Sequence, residues 1–206
     1  RIIGKPIIQN GMMGEVARCR ATLEAAAAGQ EVCMVCSGDP GILAMAGLLF
    51  ELRAREPEFA DIPIRVLPGI TAATIAAASL GAPLQNGFSL VSLSDLLVSA
   101  DEVRRNTRSV AQSLRPGGRY NPAGRKRRDL LEETLAVFRE HRGEDVLCAY
   151  VKNAGREQET KWVGKLSEFP AAEVDMSTLI IIGGPRTRLD SGVLYEPRGY
   201  VEKYME

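Results

Sequence analysis

Two short loops that follow apolar runs constrain the fold of this chain most. Residues 37–41 (Ser-Gly-Asp-Pro-Gly) follow the apolar run 32–36, and residues 68–73 (Pro-Gly-Ile-Thr-Ala-Ala) follow the run 64–67. Each loop opens a segment of helical composition, so the sequence predicts two successive strand–turn–helix units. Such units build parallel sheets, and small ligands bind at the carboxyl ends of their strands. The two loops are therefore the first candidates for a binding site.

Helical and strand patterns alternate along the chain. Helices are predicted over residues 15–29, 41–55, 71–80, 101–112 and 130–142, and strands over 32–36, 64–67, 88–93, 146–151, 161–166 and 178–182. This alternation favours an α/β fold, with a mainly parallel sheet in the first half and a mixed sheet in the more β-rich second half. We expect two small lobes, residues 1–97 and 98–206, with a cleft between them.

Charge and hydropathy exclude several classes of function. The chain has 26 basic and 26 acidic residues, so it carries no net charge that would attract nucleic acid or a membrane surface. Its apolar runs are all shorter than the roughly 20 residues that span a bilayer, and its first residues lack the layout of a secretory signal. We predict a cytoplasmic protein with neither nucleic acid nor a membrane as partner.

The reactive side chains give no sign of a metal site or of covalent catalysis. Cys33 and Cys36 lie in a predicted strand, where residues three apart point to opposite faces, so we predict that they pack in the core. P-loop, dinucleotide-binding and Ser-hydrolase motifs are absent from the sequence. Group transfer from an already activated donor fits this pattern, because such catalysis rests on orientation and desolvation.

Each of the two loops has a structural and a functional interpretation. Asp39 suits an N-cap and Pro40 the first helical position, so an ordinary capped turn explains one such loop. Two neighbouring loops favour a ligand, because glycine lets it approach the backbone and free N–H groups at a helix start bind oxygen acceptors.

Several motifs, taken in order, resemble the tetrapyrrole (corrin/porphyrin) methylase family. Besides the two loops, the matching pieces are residues 80–84 (Leu-Gly-Ala-Pro-Leu), 92–97 (Ser-Leu-Ser-Asp-Leu-Leu), 120–122 (Tyr-Asn-Pro), 154–156 (Ala-Gly-Arg) and 175–176 (Asp-Met). The pieces 92–97 and 120–122 are most similar to the branch that methylates C17 of a precorrin.

The resemblance implies a function in cobalamin biosynthesis. Members of this branch are homodimers of two-lobed subunits that hold S-adenosylmethionine between the lobes and use no protein-bound metal. Their substrate is a precorrin or cobalt-precorrin, and methylation at C17 accompanies contraction of the macrocycle. Methylation at C11 or C20 and a non-catalytic donor-binding homologue are the alternatives.

The family motifs assign roles to particular residues of this chain. Gly38, Asp39 and Pro40 would line the donor site. Ser94 and Asp95 would lie toward the tetrapyrrole, with Asp95 as an acid/base or orienting group; the alternative for Asp95 is to cap the following helix or turn. The remaining donor contacts implied are Thr71 and Ala72 at the amino-acid end, and Tyr120, Asn121, Ala154, Thr178, Leu179 and Ile180 around the adenosine.

The chain departs from the family in three places. The family begins with an apolar strand and a Gly-Pro-Gly loop over the substrate, which are missing from this sequence, so the resemblance implies an incomplete substrate pocket. Residues 86–88 (Asn-Gly-Phe) stand where relatives have His-Asp-Phe. Residues 113–119 (Ser-Leu-Arg-Pro-Gly-Gly-Arg) replace an apolar strand, and their Pro and two Gly suit a central strand poorly. A loop, a divergent strand and a sequence error are the alternatives for this segment.

A basic stretch follows the predicted lobe boundary. Residues 104–128 contain nine Lys or Arg and no Asp or Glu. Solvated helix faces are the structural interpretation, and attraction of an acidic ligand is the functional one, since arginine binds carboxylates bidentately.

Overall fold

The computed structural model describes residues 4–9, 11, 13–122 and 128–205. The chain divides into two compact units, residues 1–71 and 72–206. The two α/β lobes predicted at residues 1–97 and 98–206 stay a prediction.

The first unit is built on two helices, α1 (Glu15–Ala27) and α2 (Ala46–Arg55). Both are predicted from the sequence, but α2 begins five residues later than predicted, with Met45 rather than Asp39 at its N-cap. The Asp39 side chain binds two loop amides instead of the first turn of a helix, which is why the cap prediction is wrong. The buried core of the unit consists of Cys19, Leu23, Leu52 and Phe59.

The prediction of two strands in the first unit is wrong. Residues 32–36 and 64–67 form no strand among the described residues, so the mainly parallel sheet predicted for 1–97 is not found there. Apolar and β-branched composition favours a strand, but a strand also needs a neighbour to complete its hydrogen bonds. Consequently Cys33 is exposed and Cys36 half-buried, and the core packing predicted for them is not observed.

The second unit contains a five-stranded mixed sheet. Its strands are β2 (Ser89–Ser92), β3 (Gly117–Tyr120), β4 (Leu147–Lys152), β5 (Thr160–Lys165) and β6 (Thr178–Ile182). They lie in the order β2-β3-β6-β4-β5, and only the β2–β3 pair is parallel. The sheet is mixed as predicted, but its parallel pair includes β2, which lies in the half where a mainly parallel sheet is predicted.

A smaller three-stranded sheet lies in the same unit. Strand β8 (Val193–Tyr195) pairs in parallel with β1 (Gly81–Ala82) and antiparallel with β7 (Arg188–Asp190). Gly81 ends the preceding helix as predicted, and a Cβ there would lie 2.5 Å from the Leu194 carbonyl oxygen, so only glycine allows this pairing. None of these three strands is predicted from the sequence, since each has only two or three residues.

Helices cover both faces of the five-stranded sheet. Helix α3 (Ala72–Leu80) packs on one face, and α4 (Ala100–Gln112) and α5 (Asp129–Arg142) pack on the other. Successive residues of a strand point to opposite faces. Thus Leu179 of β6 joins the cluster under α3, whereas Ile180 joins the cluster under α4 and α5. A short helix, α6 (Tyr200–Tyr204), lies near the end of the chain.

Residues 117–120 form strand β3, so a divergent strand covers the end of the segment 113–119, whereas residues 113–116 form no strand. A Cβ at Gly117 would lie 2.1 Å from the Ser89 carbonyl oxygen, and one at Gly118 would lie 3.0 Å from the Leu90 side chain. The two glycines therefore let β3 approach β2 closely. The next residue, Arg119, points to the opposite face and is fully buried, with its guanidinium 4.7 Å from the centre of the Phe138 ring.

Among the described residues, no helix combines the length and apolar character needed to cross a bilayer.

Candidate functional site

The two glycine loops of the first unit are held together by one carboxylate. Asp39 accepts hydrogen bonds from the Gly69 amide at 3.0 Å and from the Gly41 amide at 2.8 Å. These bonds, with that from Gly69 the larger cause, lower the pKa of Asp39. The backbones meet so closely that a Cβ at Gly69 would lie 2.1 Å from the Gly38 carbonyl oxygen. The loops identified from the sequence thus form one braced structure, in which Gly38 adopts a φ of +80°.

A pocket of about 170 Å³ lies at one edge of the five-stranded sheet. Strands β3 and β4 end at this edge, and β6, which runs between them in the opposite direction, begins there. The first residue of α3 contributes from the face above. The lining residues are Ala72, Tyr120, Asn121, Val151, Asn153, Ala154, Arg156, Met176, Ser177, Thr178 and Leu179.

The pocket combines apolar walls with polar edges. Val151 and Leu179 are buried side chains on neighbouring strands and face α3. Asn121 and Asn153 follow the ends of β3 and β4 and adopt left-handed φ values of 52° and 53°. Asparagine adopts this conformation more readily than other non-glycine residues, and the conformation recurs at functional sites. An apolar slot with amides at its rim suits a flat heterocycle joined to a polar sugar.

Hydrogen bonds hold both sides of the pocket. The Tyr120 hydroxyl accepts the amide N–H of Ala73 at 2.9 Å, which satisfies a donor in the first turn of α3. On the other side, Asp175 accepts the Ser177 amide and binds Lys152. Burial alone would raise the pKa of Asp175, but the hydrogen bonds from Lys152 and Ser177 outweigh it and hold this pKa well below its usual range.

The structure brings most of the predicted adenosine-site residues to this pocket. The pocket is lined by five of them, Tyr120, Asn121, Ala154, Thr178 and Leu179, and also by Ala72, which the resemblance assigns to the amino-acid end of the donor. Ile180 does not, because its side chain lies on the opposite face of β6. Five further residues line the pocket and were not among the predicted site residues: Val151, Asn153, Arg156, Met176 and Ser177. Strand alternation along β4 is the signal for Val151, and the other four lie within or directly beside a family motif.

Ser94 and Asp95 lie in the segment that follows β2. Both are half-buried. The last residue of β2, Ser92, accepts a hydrogen bond through its Oγ, at 3.0 Å, from the side-chain amide of Asn121, which lines the pocket. The N-cap of α4 is Ser99, whose Oγ accepts the Glu102 amide, so Asp95 does not cap that helix.

The described part of the basic stretch is partly neutralised by acidic residues outside it. Arg104 binds Asp101 and Glu133, and Arg108 lies 3.8 Å from Glu140. The Lys and Arg residues at 125–127 lie outside the described residues.

Comparison with known proteins defines the class of this chain. Residues 7–170 match the family of Tetrapyrrole (Corrin/Porphyrin) Methylases, and the chain belongs to this family. The family and the α/β fold predicted from the sequence are thereby confirmed.

Similar proteins are methyltransferases named for position C17. A Salmonella typhimurium protein, "Probable cobalt-factor III C(17)-methyltransferase", is 36% identical over 196 residues, which cover 95% of this chain and 80% of that protein. A Sinorhizobium "Precorrin-3B C(17)-methyltransferase" is 36% identical over 192 residues, covering 90% and 76%. The crystal structure of the methyltransferase CobJ matches with a TM-score of 0.85 and 33% identity, over 93% of this chain and 79% of that one.

A more distant structure shares the fold alone. Uroporphyrin-III C-methyltransferase from Thermus thermophilus, solved with S-adenosyl homocysteine, has a TM-score of 0.58 and 23% identity, over 80% of this chain and 71% of that one.

Proposed function

We propose that this chain is an S-adenosylmethionine-dependent methyltransferase that methylates C17 of a precorrin or cobalt-precorrin in cobalamin biosynthesis, with contraction of the macrocycle. The names of the similar proteins support the position of methylation. One observation supports the donor: the pocket at the sheet edge is lined by five residues that family motifs assign to the adenosine and by Ala72, which they assign to the amino-acid end of the donor.

In this proposal the pocket holds the adenosine of the donor. The side chains of Val151 and Leu179 contact the base, and the amides of Asn121 and Asn153 lie at its polar edges. The loops joined by Asp39 contribute donor contacts by motif, together with Thr71.

The reaction needs little covalent chemistry from the protein. The methyl carbon leaves the donor sulfur with inversion while a new bond forms to the ring carbon, so the sulfonium becomes a neutral thioether. Alignment of the two atoms and exclusion of water supply the catalysis. Contraction of the ring also moves protons, and we assign Asp95 to accept or orient one of them, with Ser94 beside it toward the tetrapyrrole.

Calorimetric titration of the chain with S-adenosyl homocysteine tests donor binding. We expect micromolar affinity, which Ala154→Leu weakens more than tenfold because the larger side chain enters the pocket. Ala136→Leu, on the exposed surface of α5, adds the same volume away from the pocket and should bind like the wild type. Absence of binding by the folded wild-type chain would refute the donor assignment.

Methyl transfer to the tetrapyrrole tests the assignment of Asp95. Asp95→Asn should keep the affinity for S-adenosyl homocysteine and lower the rate of product formation, since proton movement alone is impaired. Equal rates in the two proteins would remove Asp95 from the mechanism. The mass and position of the added methyl group distinguish C17 from C11 and C20 methylation.

We also propose a homodimer in the cytoplasm, as the family resemblance implies. The free thiol of the exposed residue Cys33 supports a reducing compartment. Light scattering of the purified chain measures its mass directly, and a monomer at micromolar concentration would contradict the dimer.

A further inference from the structure

We infer that Glu159 is a positioning residue for the pocket, because it fastens the pocket's loop to helix α3. The inference rests on the proposed function of the pocket as the donor site. Glu159 follows the family's Ala-Gly-Arg motif but does not itself line the pocket. Its effect must therefore pass through other residues.

Both carboxylate oxygens of Glu159 have defined partners. Oε2 accepts the amide N–H of Gly155 at 2.6 Å, and Oε1 accepts the hydroxyl of Ser79 at 2.5 Å. Ser79 lies in the last turn of α3, and Gly155 lies in the loop between β4 and β5. One side chain therefore connects the helix and the loop that both contribute to the pocket.

The loop also contacts the middle of α3. Gly155 adopts a φ of +73°, and a Cβ built there would lie 3.0 Å from the Ile75 side chain. Its neighbours Ala154 and Arg156 line the pocket. A shift of Gly155 would move both lining residues with it.

Charge makes this connection strong. The bonds from Ser79, the larger cause, and from Gly155 lower the pKa of Glu159, so the side chain is ionised at neutral pH. Hydrogen bonds to an ionised acceptor are shorter and about twice as strong as neutral ones. Lys161 forms a second hydrogen bond to the helix, since its Nζ donates to the Ser79 carbonyl oxygen at 2.5 Å. This bond does not involve Ala154 or Arg156, the loop residues that line the pocket.

Glu159→Gln tests the inference with little change of shape. The carboxamide oxygen can still accept the Gly155 amide, but the new NH₂ group only donates, so the bond with Ser79 must reverse and its hydroxyl must accept. Both bonds also lose the negative charge that strengthens them. We expect the dissociation constant for S-adenosyl homocysteine to rise about tenfold, because two charge-assisted hydrogen bonds become weaker neutral ones. In turnover, KM for the methyl donor should rise more than kcat falls.

Glu157→Gln is the matched control. Glu157 is exposed in the same loop, and its substitution removes the same charge. It should bind the donor analogue like the wild type. Lys161→Met is a second control, which removes the hydrogen bond from Lys161 to the Ser79 carbonyl oxygen. It should lower the melting temperature and leave the affinity for the donor analogue unchanged.

Hydrogen exchange separates this inference from the proposed function. The Gly155 amide should exchange faster in Glu159→Gln than in the wild type without any ligand. If the wild type binds the analogue and Glu159→Gln binds it equally well, the inference is refuted while donor binding stands. If the folded wild type does not bind, the donor assignment fails, and the positioning role fails with it.

Discussion

Two arginines contact the same aromatic ring but differ in their hydrogen bonds. Arg119 and Arg142 place their guanidinium groups 4.7 and 4.6 Å from the centre of the Phe138 ring. Arg142 donates to four backbone carbonyl groups, those of Val110, Ala111, Arg115 and Gly183. In contrast, Nε and one terminal nitrogen of Arg119 have no partner within the described residues. Burial, together with the charge of Arg142, lowers the pKa of Arg119 to about 9.

We expect Arg119→Met to stabilise the protein by about 1–3 kcal/mol, because it removes buried donors that lack acceptors and keeps most of the side-chain volume. Arg142→Met should instead destabilise it by about 3 kcal/mol or more, since several carbonyl groups lose their donor. Urea unfolding of the two variants measures both effects. A loss of stability in Arg119→Met would show that its contact with Phe138 outweighs its desolvation.

Local patterns could not predict these residue-scale features. The basic stretch suggested solvated helix faces or an acidic ligand, and nothing in it marks Arg119 as buried. Its burial follows from its place on β3, which faces α5. Asp39 is a similar case, because an N-cap pattern precedes α2 but the carboxylate binds the Gly69 amide, 30 residues away.

At the scale of elements, the turn before β6 depends on an ionised carboxylate. Asp175 accepts hydrogen bonds from Lys152, Ser177 and Thr178. Its folded pKa lies below its unfolded value, so its contribution is fully present above the unfolded pKa and is lost as pH falls through the folded one.

We expect Asp175→Asn to lower the free energy of unfolding by about 1 kcal/mol at pH 7. The difference from the wild type should shrink as pH falls below about 4, the pKa of an unperturbed aspartate. Denaturant titrations at pH 7 and pH 3 compare the two proteins. A difference that does not change with pH would mean that the ionised state of Asp175 is not what holds the turn.

The sequence predicts elements well where one segment contains the whole signal. Helices α1, α4 and α5 and strand β6 lie within about two residues of their predicted bounds, because their periodicity and end signals are local. Residues 32–36 have the composition of a strand but lack a paired neighbour, whereas β3 forms from a Gly-rich segment because its neighbours β2 and β6 pair with it. Pairing, rather than composition, decided both cases.

At the scale of the whole molecule, the two units differ in how their backbone is hydrogen-bonded. The second contains two sheets, and the first contains only helices and loops among its described residues. We expect the amides of residues 32–36 and 64–67 to exchange with solvent far faster than those of the central strands β4 and β6, because exchange follows local opening. Hydrogen exchange followed by mass spectrometry measures this directly. Equal protection in both sets would indicate bonding partners for the first-unit segments.

Neighbouring residues of strand β6 have two different roles, lining the pocket and packing against helices, and selection can act on each role independently. Leu179 faces the pocket and Ile180 faces the helices α4 and α5. A substitution at the first position alters what the pocket accepts, whereas one at the second alters how firmly the helices are held. Two adjacent codons thus affect different traits, so a descendant of this protein can acquire a new ligand preference while the far side of its sheet keeps its inherited packing.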